Sequence, residues 1–154
     1  MAVLKTQGTE LFVYDPVADE VIDAGCVTSI NGASSPISQI EVTCLTADSR
    51  AYVAGLREPG TTSFTINFDP SNPNHLKFFN LYETGQVVKF YIGFSDGTDP
   101  VTSSGGTPTI PTTRTFLSFD GYITDIPFEF GLNAVVSTEV GVQISGDIQL
   151  SAKT

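Results

Sequence analysis

The chain of 154 residues has no tryptophan, one methionine, one histidine and two cysteines. The missing tryptophan weakens any case for sugar recognition, where broad aromatic faces supply the contact. Cations are also scarce, with seven Lys and Arg against 17 Asp and Glu, for a net charge of −10. A protein that coats nucleic acid needs a basic stripe to replace phosphate counterions, so this balance argues against that class. It leaves open a surface past which DNA slides without adhering, and it is equally the ordinary signature of solubility. No stretch approaches the roughly 20 apolar residues of a membrane helix. The apolar run in Met1 to Lys5 is too short for a signal peptide. With no export signal, Cys26 and Cys44 are expected to be free, mostly buried thiols of a cytoplasmic protein rather than a disulfide.

Residues that carry chemistry are equally sparse. His75 has no cysteine or carboxylate at ligand spacing and falls in the first turn of an expected helix, facing solvent, which makes a poor metal site. Asp19 with Glu20, and Asp96 with Asp99, lie in turn-like segments where Asp bonds local backbone. No spacing matches a calcium loop, a phosphate-cradling glycine loop or a dinucleotide fingerprint. The hydroxyl-rich stretch 102–115 has no histidine nearby to activate a serine. No catalytic, cofactor-binding or metal-ligating residue is expected, and no cofactor; the chain reads as structural or binding rather than enzymatic.

What the sequence does contain is strand periodicity. Large apolar residues fill Glu10 to Tyr14. Ile40, Val42 and Cys44 alternate with Glu41, Thr43 and Leu45, and Phe64, Ile66 and Phe68 with Ser63, Thr65 and Asn67. Val88, Phe90, Ile92 and Phe94 alternate around Lys89 and Tyr91; Phe119, Gly121 and Ile123 around Asp120 and Tyr122. The longest run sets Val136, Thr138, Val140, Val142, Ile144, Ile148 and Leu150 against Ser137, Glu139, Gln143, Asp147 and Gln149. One helix is expected over about 73–84, with Asn72 as N-cap, Pro73 in the first turn, Gly85 as C-cap and Leu76, Phe79 and Tyr82 at helical spacing with Phe78 and Leu81 beside them. Long loops are expected at 45–62 and 95–113; the second, rich in Ser, Thr, Gly and Pro, should be mobile on its own. The fold class is a single mainly β domain over 1–154, a two-sheet antiparallel sandwich or barrel with one flanking helix.

The order of these segments resembles the tail tube family of lambda-like long-tailed bacteriophages. The matching pieces are Gly8-Thr9-Glu10-Leu11-Phe12-Val13-Tyr14, the strand Gly60 to Pro70 before the helix, the strand ending in Phe94 with the turn Asp96-Gly97-Thr98, Phe119 to Thr124, and the closing strand Val135 to Leu150 with Gly146. The resemblance covers nearly the whole chain. It departs in the long insert Asp99 to Arg114 and in the lack of a further domain after Thr154. It implies a virion tail protein, assembled in the host cytoplasm, whose homohexameric rings stack into a tube. Partners would be the tail tip or baseplate, the tape measure and the tail terminator proteins. Double-stranded genomic DNA would pass through the lumen unbound, and no membrane is involved. On this resemblance Glu41, Thr43, Ser63, Thr65, Asn67, Glu139 and Gln143 are expected to face the lumen, their carboxylates repelling phosphate. Asp48, Arg50, Arg57 and Glu58 are expected in an inter-ring loop ordered on assembly. Whether the tail contracts stays open. The alternatives are a tube subunit of type VI secretion, or a β-sandwich binding or capsid-decoration module that uses Tyr91, Tyr122 and the long loop.

Overall fold

The computed structural model describes residues 3–25, 27–32, 34–46, 48–132 and 135–154. In chain order the elements are β1 (Glu10–Asp15), β2 (Glu20–Asp23), β3 (Val27–Asn31), β4 (Ile37–Glu41), β5 (Tyr52–Arg57), β6 (Thr61–Asn67), α1 (Pro73–Thr84), β7 (Val88–Gly93), β8 (Thr102–Ser104), β9 (Thr107–Thr109), β10 (Phe116–Asp125), β11 (Phe128–Glu129) and β12 (Ser137–Ser151). The expected class holds: mainly β, antiparallel, with one helix.

Seven strands form a single sheet in the order β2-β1-β7-β10-β12-β6-β3, to which β11 adds on β12. Its edge strands, β2 and β3, are consecutive in the chain. The four residue steps from Asp23 to Val27 span at most about 14 Å, so the two edges are drawn together. The sheet therefore curls around one core without closing into a barrel. The alternating apolar residues meet inside it: Leu11, Val13, Ile22, Phe64, Ile66, Val88, Phe90, Phe119, Ile123, Val140, Val142 and Ile144 are buried together with Phe78 and Leu81 of α1. Phe64 meets Phe78 edge-on at 5.9 Å, and Phe90 stacks on Phe119 at 5.3 Å.

The helix has the bounds its caps dictate. Asn72 is extended and its side chain accepts the Asn74 N–H, Pro73 opens the helix, and Gly85 ends it at φ 66° with its N–H on the Leu81 carbonyl. Its buried face differs from expectation. Phe78 and Leu81 point inward with His75, and Phe79 packs partly buried against the core, whereas Leu76 and Tyr82 are exposed. This is a rotation by one residue, about 100°.

His75 explains the rotation. Far from facing solvent, it is buried. Its Nδ1 accepts the Asp69 N–H at 2.9 Å, and its Nε2 lies 2.9 Å from the Ala24 carbonyl. Because the first bond needs an unprotonated Nδ1, the proton is assigned to Nε2, which donates to Ala24. Ala24 lies in the link between the two edge strands and Asp69 leaves β6. The imidazole thus bridges the seam where the sheet nearly closes, with Phe68 and Phe78 on either side.

The insert 95–113, expected as a long loop, has strands and packing of its own. It carries the β8–β9 hairpin and packs on the outer face of the sheet, where Val101 joins Phe12, Tyr14, Tyr91 and Phe116 in a second buried cluster flanked by Val21 and Ile110. Asp19 holds its tip, accepting the Gly106 N–H at 3.0 Å and the Tyr14 hydroxyl at 2.9 Å. Arg114 holds its base. Only 1% exposed, it donates from Nε to the Phe94 carbonyl at 2.6 Å and from Nη2 to the Gly8 and Gly93 carbonyls at 2.9 and 3.1 Å. The rings of Phe12 and Phe116 lie 5.9 and 5.6 Å from its guanidinium. Few apolar residues suffice to order the insert because the sheet supplies the other half of the cluster.

The segment 45–62 also differs from expectation. It contains β5, which pairs with β4 as a separate two-stranded sheet. The expected strand 40–45 ends at Glu41, and its apolar residues Ile40 and Val42 are half exposed rather than in the core. Cys44 is free and exposed, against the expected burial; Cys26 lies outside the described residues.

Candidate functional site

Three surfaces remain once the core is accounted for. The first is the outer face of β6 and β12. Register places Asn67 opposite Ser137, Thr65 opposite Glu139, and Ser63 opposite Gly141, with Gln143 opposite Thr61. The intervening Phe64, Ile66, Val140 and Val142 point into the core. Five of the seven residues assigned to the lumen, Ser63, Thr65, Asn67, Glu139 and Gln143, therefore share one polar face. The Ser63 hydroxyl donates to Glu139 Oε1 at 3.1 Å, and Gln143 Nε2 donates to the Gly60 carbonyl at 3.2 Å. Ser29 and Asn31 of β3 extend this face beside Thr65 and Ser63. Among the described residues the ion pairs are Lys77–Glu20 and Arg114–Glu10, so Glu139 has no cationic partner.

At its other end the outer face is covered by the insert. Burial there pushes the Tyr91 hydroxyl above its ordinary value, with Asp120 and then Tyr14 adding to the effect. Tyr91 is thus not available to a ligand beside Tyr122. Where the insert returns to β10, the Thr115 hydroxyl and then its N–H hold the Asp96 carboxyl below its ordinary value.

The second surface is the β4–β5 hairpin. It extends the β3–β6 pair beyond the sheet. Gly32 sits at the junction with φ +81°, and a Cβ there would lie 2.8 Å from the Thr61 carbonyl. Pairing puts Ile40 opposite Val53 and Ile37 opposite Arg57, and Val42 donates its N–H to Ala51. Ile40, Val42 and Val53 thus line one face, each about half exposed, while Ile37 falls with Gln39 and Glu41 on the other. Glu41 and Tyr52 occupy the other face, and Leu56, in the irregular stretch of β5, is 85% exposed. Glu41 and Thr43 are therefore separated from the five residues gathered on β6 and β12; the Thr43 hydroxyl instead accepts the Ala51 N–H at 2.9 Å. The four charged residues assigned to an inter-ring loop also divide. Asp48 and Arg50 lie at the hairpin tip, Arg57 and Glu58 at its base. Seven residues of extended chain from Arg50 to Arg57 cover roughly 20 Å, so the four form no single patch.

The third surface was not foreseen. Phe68, Pro70, Phe128, Phe130 and Val136 line an open apolar cleft of about 300 Å³. Phe68 and Phe128 meet edge-on at 5.0 Å. Phe130 is 80% and Leu132 95% exposed, and Val135 is exposed beside them. The signal was present as Phe128, Phe130 and Leu132, but it follows one long strand pattern and precedes another without a period of its own.

A curled sheet with a bare polar face, an uncovered apolar ribbon and an open apolar cleft defines a subunit built for association with other chains, since such apolar surface is unusual on a protein that works alone. The comparisons say which kind. The family model described as the phage tail tube protein, lambda-like, matches residues 2–154, and the chain belongs to that family, a structural component of the virion tail. A curated relative, "Structural protein 3" of Pseudomonas phage PAJU2, is 43% identical over 157 residues, covering 99% of this chain and 96% of the relative. Among solved structures, the tail of an empty gene transfer agent particle with C6 symmetry aligns with a TM-score of 0.71 at 13% identity, covering 97% of this chain and 100% of that one. The tail tube of phage SPP1 aligns at 0.68 with 12% identity, covering 97% and 80%. At such identities these structures show the shared fold.

Proposed function

We propose that the protein is the repeating subunit of a phage tail tube, forming stacked six-membered rings around a channel for genomic DNA, and that it has no catalytic role. The observation that carries the reading is the polar face of β6 and β12, with Ser63, Thr65, Asn67, Glu139 and Gln143 gathered on it and no cation paired to Glu139. Repeated around a bore, this face is the channel wall. Its hydroxyls and amides hydrate it, and its carboxylates keep phosphate from adhering. The tail tip, tape measure and tail terminator proteins are the partners at the ends and inside of such a tube. The non-catalytic part of the reading is supported by His75, whose two ring nitrogens are both committed to backbone groups.

Concentrated protein is expected to form rings or tubes with about six subunits per ring, the symmetry of the gene transfer agent tail that shares the fold. Negative-stain microscopy with native mass spectrometry reads this directly. A protein that stays monomeric at high concentration in every salt condition, even when seeded by a tail tip, contradicts it.

A further inference from the structure

We infer that the apolar face of the β4–β5 hairpin of one copy seats in the Phe68–Phe128–Phe130 cleft of a second copy. The inference rests on the tube reading and names the contact by which copies join.

Both surfaces are apolar and uncovered. Ile40, Val42 and Val53 form a stripe on a two-stranded ribbon that pairs with no strand of the main sheet. An isolated hairpin is marginal in water, so this ribbon needs a surface to lie on. The cleft lined by Phe68, Pro70, Phe128, Phe130 and Val136 is its complement in chemistry.

The two lie at opposite ends of one strand. The hairpin enters β6 at Thr61, and the cleft begins at Phe68, just past Asn67. β6 is seven residues long, which separates its ends by roughly 20 Å. The ribbon also continues outward from the Asn31–Ser63 pair, in the direction leading away from Asn67. The hairpin of one copy therefore meets the cleft of another. Two different patches meeting head to tail make a heterologous contact, which repeats through successive copies into a ring or a helical array.

Charge favours the same pairing. The chain carries −10, so copies repel over most of their surface. The hairpin is less acidic than the rest: Glu41, Asp48 and Glu58 stand against Arg50 and Arg57, and neither arginine has an ion-pair partner among the described residues. Glu129 lies between Phe128 and Phe130 in sequence and Asp125 three residues before Phe128, so the chain that forms the cleft is acidic, while the ribbon carries two arginines.

The test places a photo-crosslinking benzoylphenylalanine at Val53 and assembles the full chain from a mixture of isotopically light and heavy protein. The expected products join the Val53 segment to residues 128–136 in mixed light–heavy pairs. Products confined to light–light and heavy–heavy pairs, or attached elsewhere, overturn the inference. In parallel, Phe130→Asp is expected to raise the concentration needed for assembly by about tenfold or more. Its urea unfolding should stay that of wild type, because Phe130 is exposed. Normal assembly of Phe130→Asp overturns the cleft's role while leaving the tube reading standing. Failure of the wild-type protein to assemble overturns both.

Discussion

At the scale of single residues, the two most informative side chains are polar ones buried where such types are ordinarily exposed. Arg114 is a cation buried among aromatic rings, and His75 is a lone histidine buried at a seam. Both are explained by backbone groups that need donors or acceptors where the chain crosses a boundary. Arg114 supplies donors to the carbonyls of Gly8, Gly93 and Phe94, tying the N-terminal approach to β1, the end of β7 and the start of β10 to one fork. Glu10 at 3.6 Å gives it a loose charge partner. Truncation to Ala leaves buried carbonyls unpaired and a void between Phe12 and Phe116, an expected loss of about 3 kcal/mol or more in urea unfolding. Arg114→Lys should recover little of it, because an ammonium cannot fork to three acceptors on two sides. A loss under about 1 kcal/mol for Arg114→Ala would show that water replaces the guanidinium. Neither role was legible in the sequence, because the groups these residues bond are distant in the chain: Gly8 is 106 residues from Arg114 and Ala24 is 51 from His75.

At the scale of elements, local signals were read well and context-dependent ones poorly. The helix bounds followed from Asn72, Pro73 and Gly85, since capping is local chemistry. The helix face did not, since His75 counts as polar on any hydropathy pattern yet is buried. The core parities of β6, β7, β10 and β12 followed from a strict period of two. Ile40 and Val42 have the same period, yet lie on a ribbon with no core beneath it; alternation reports that one face is apolar, not which molecule covers it. The short strands β2 and β3 and the β8–β9 hairpin lacked runs long enough to stand out. The insert was misread because composition was weighed without the sheet it lands on. Its element-level test separates anchor from tip. Val101→Asp puts a carboxylate into the cluster with Phe12, Tyr14, Tyr91 and Phe116 and should cost about 3 kcal/mol or more, or prevent folding. Replacing 102–107 with a short Gly-Ser link removes β8, its pairing with β9 and the bonds to Asp19, all near the surface, and should cost about 2 kcal/mol or less. Equal losses in the two variants would contradict the division.

At the scale of the whole molecule, the acidic charge and the scarcity of cations belong together. On the proposed reading, a wall that DNA slides along must not hold it, and a subunit of net −10 must still bind its own copies. The structure separates these demands by placing the polar face of β6 and β12 on one part of the surface and the apolar ribbon and cleft beyond the ends of β6. The five residues on that face were legible from strand period and family resemblance; the cleft was not, because association surfaces have no periodicity of their own. The most direct measurement is the structure of the assembled tube by electron cryomicroscopy. The account predicts Ser63, Thr65, Asn67, Glu139 and Gln143 lining the bore of every ring. If that face is instead found on the outside of the tube or buried between subunits, the channel-wall account is wrong.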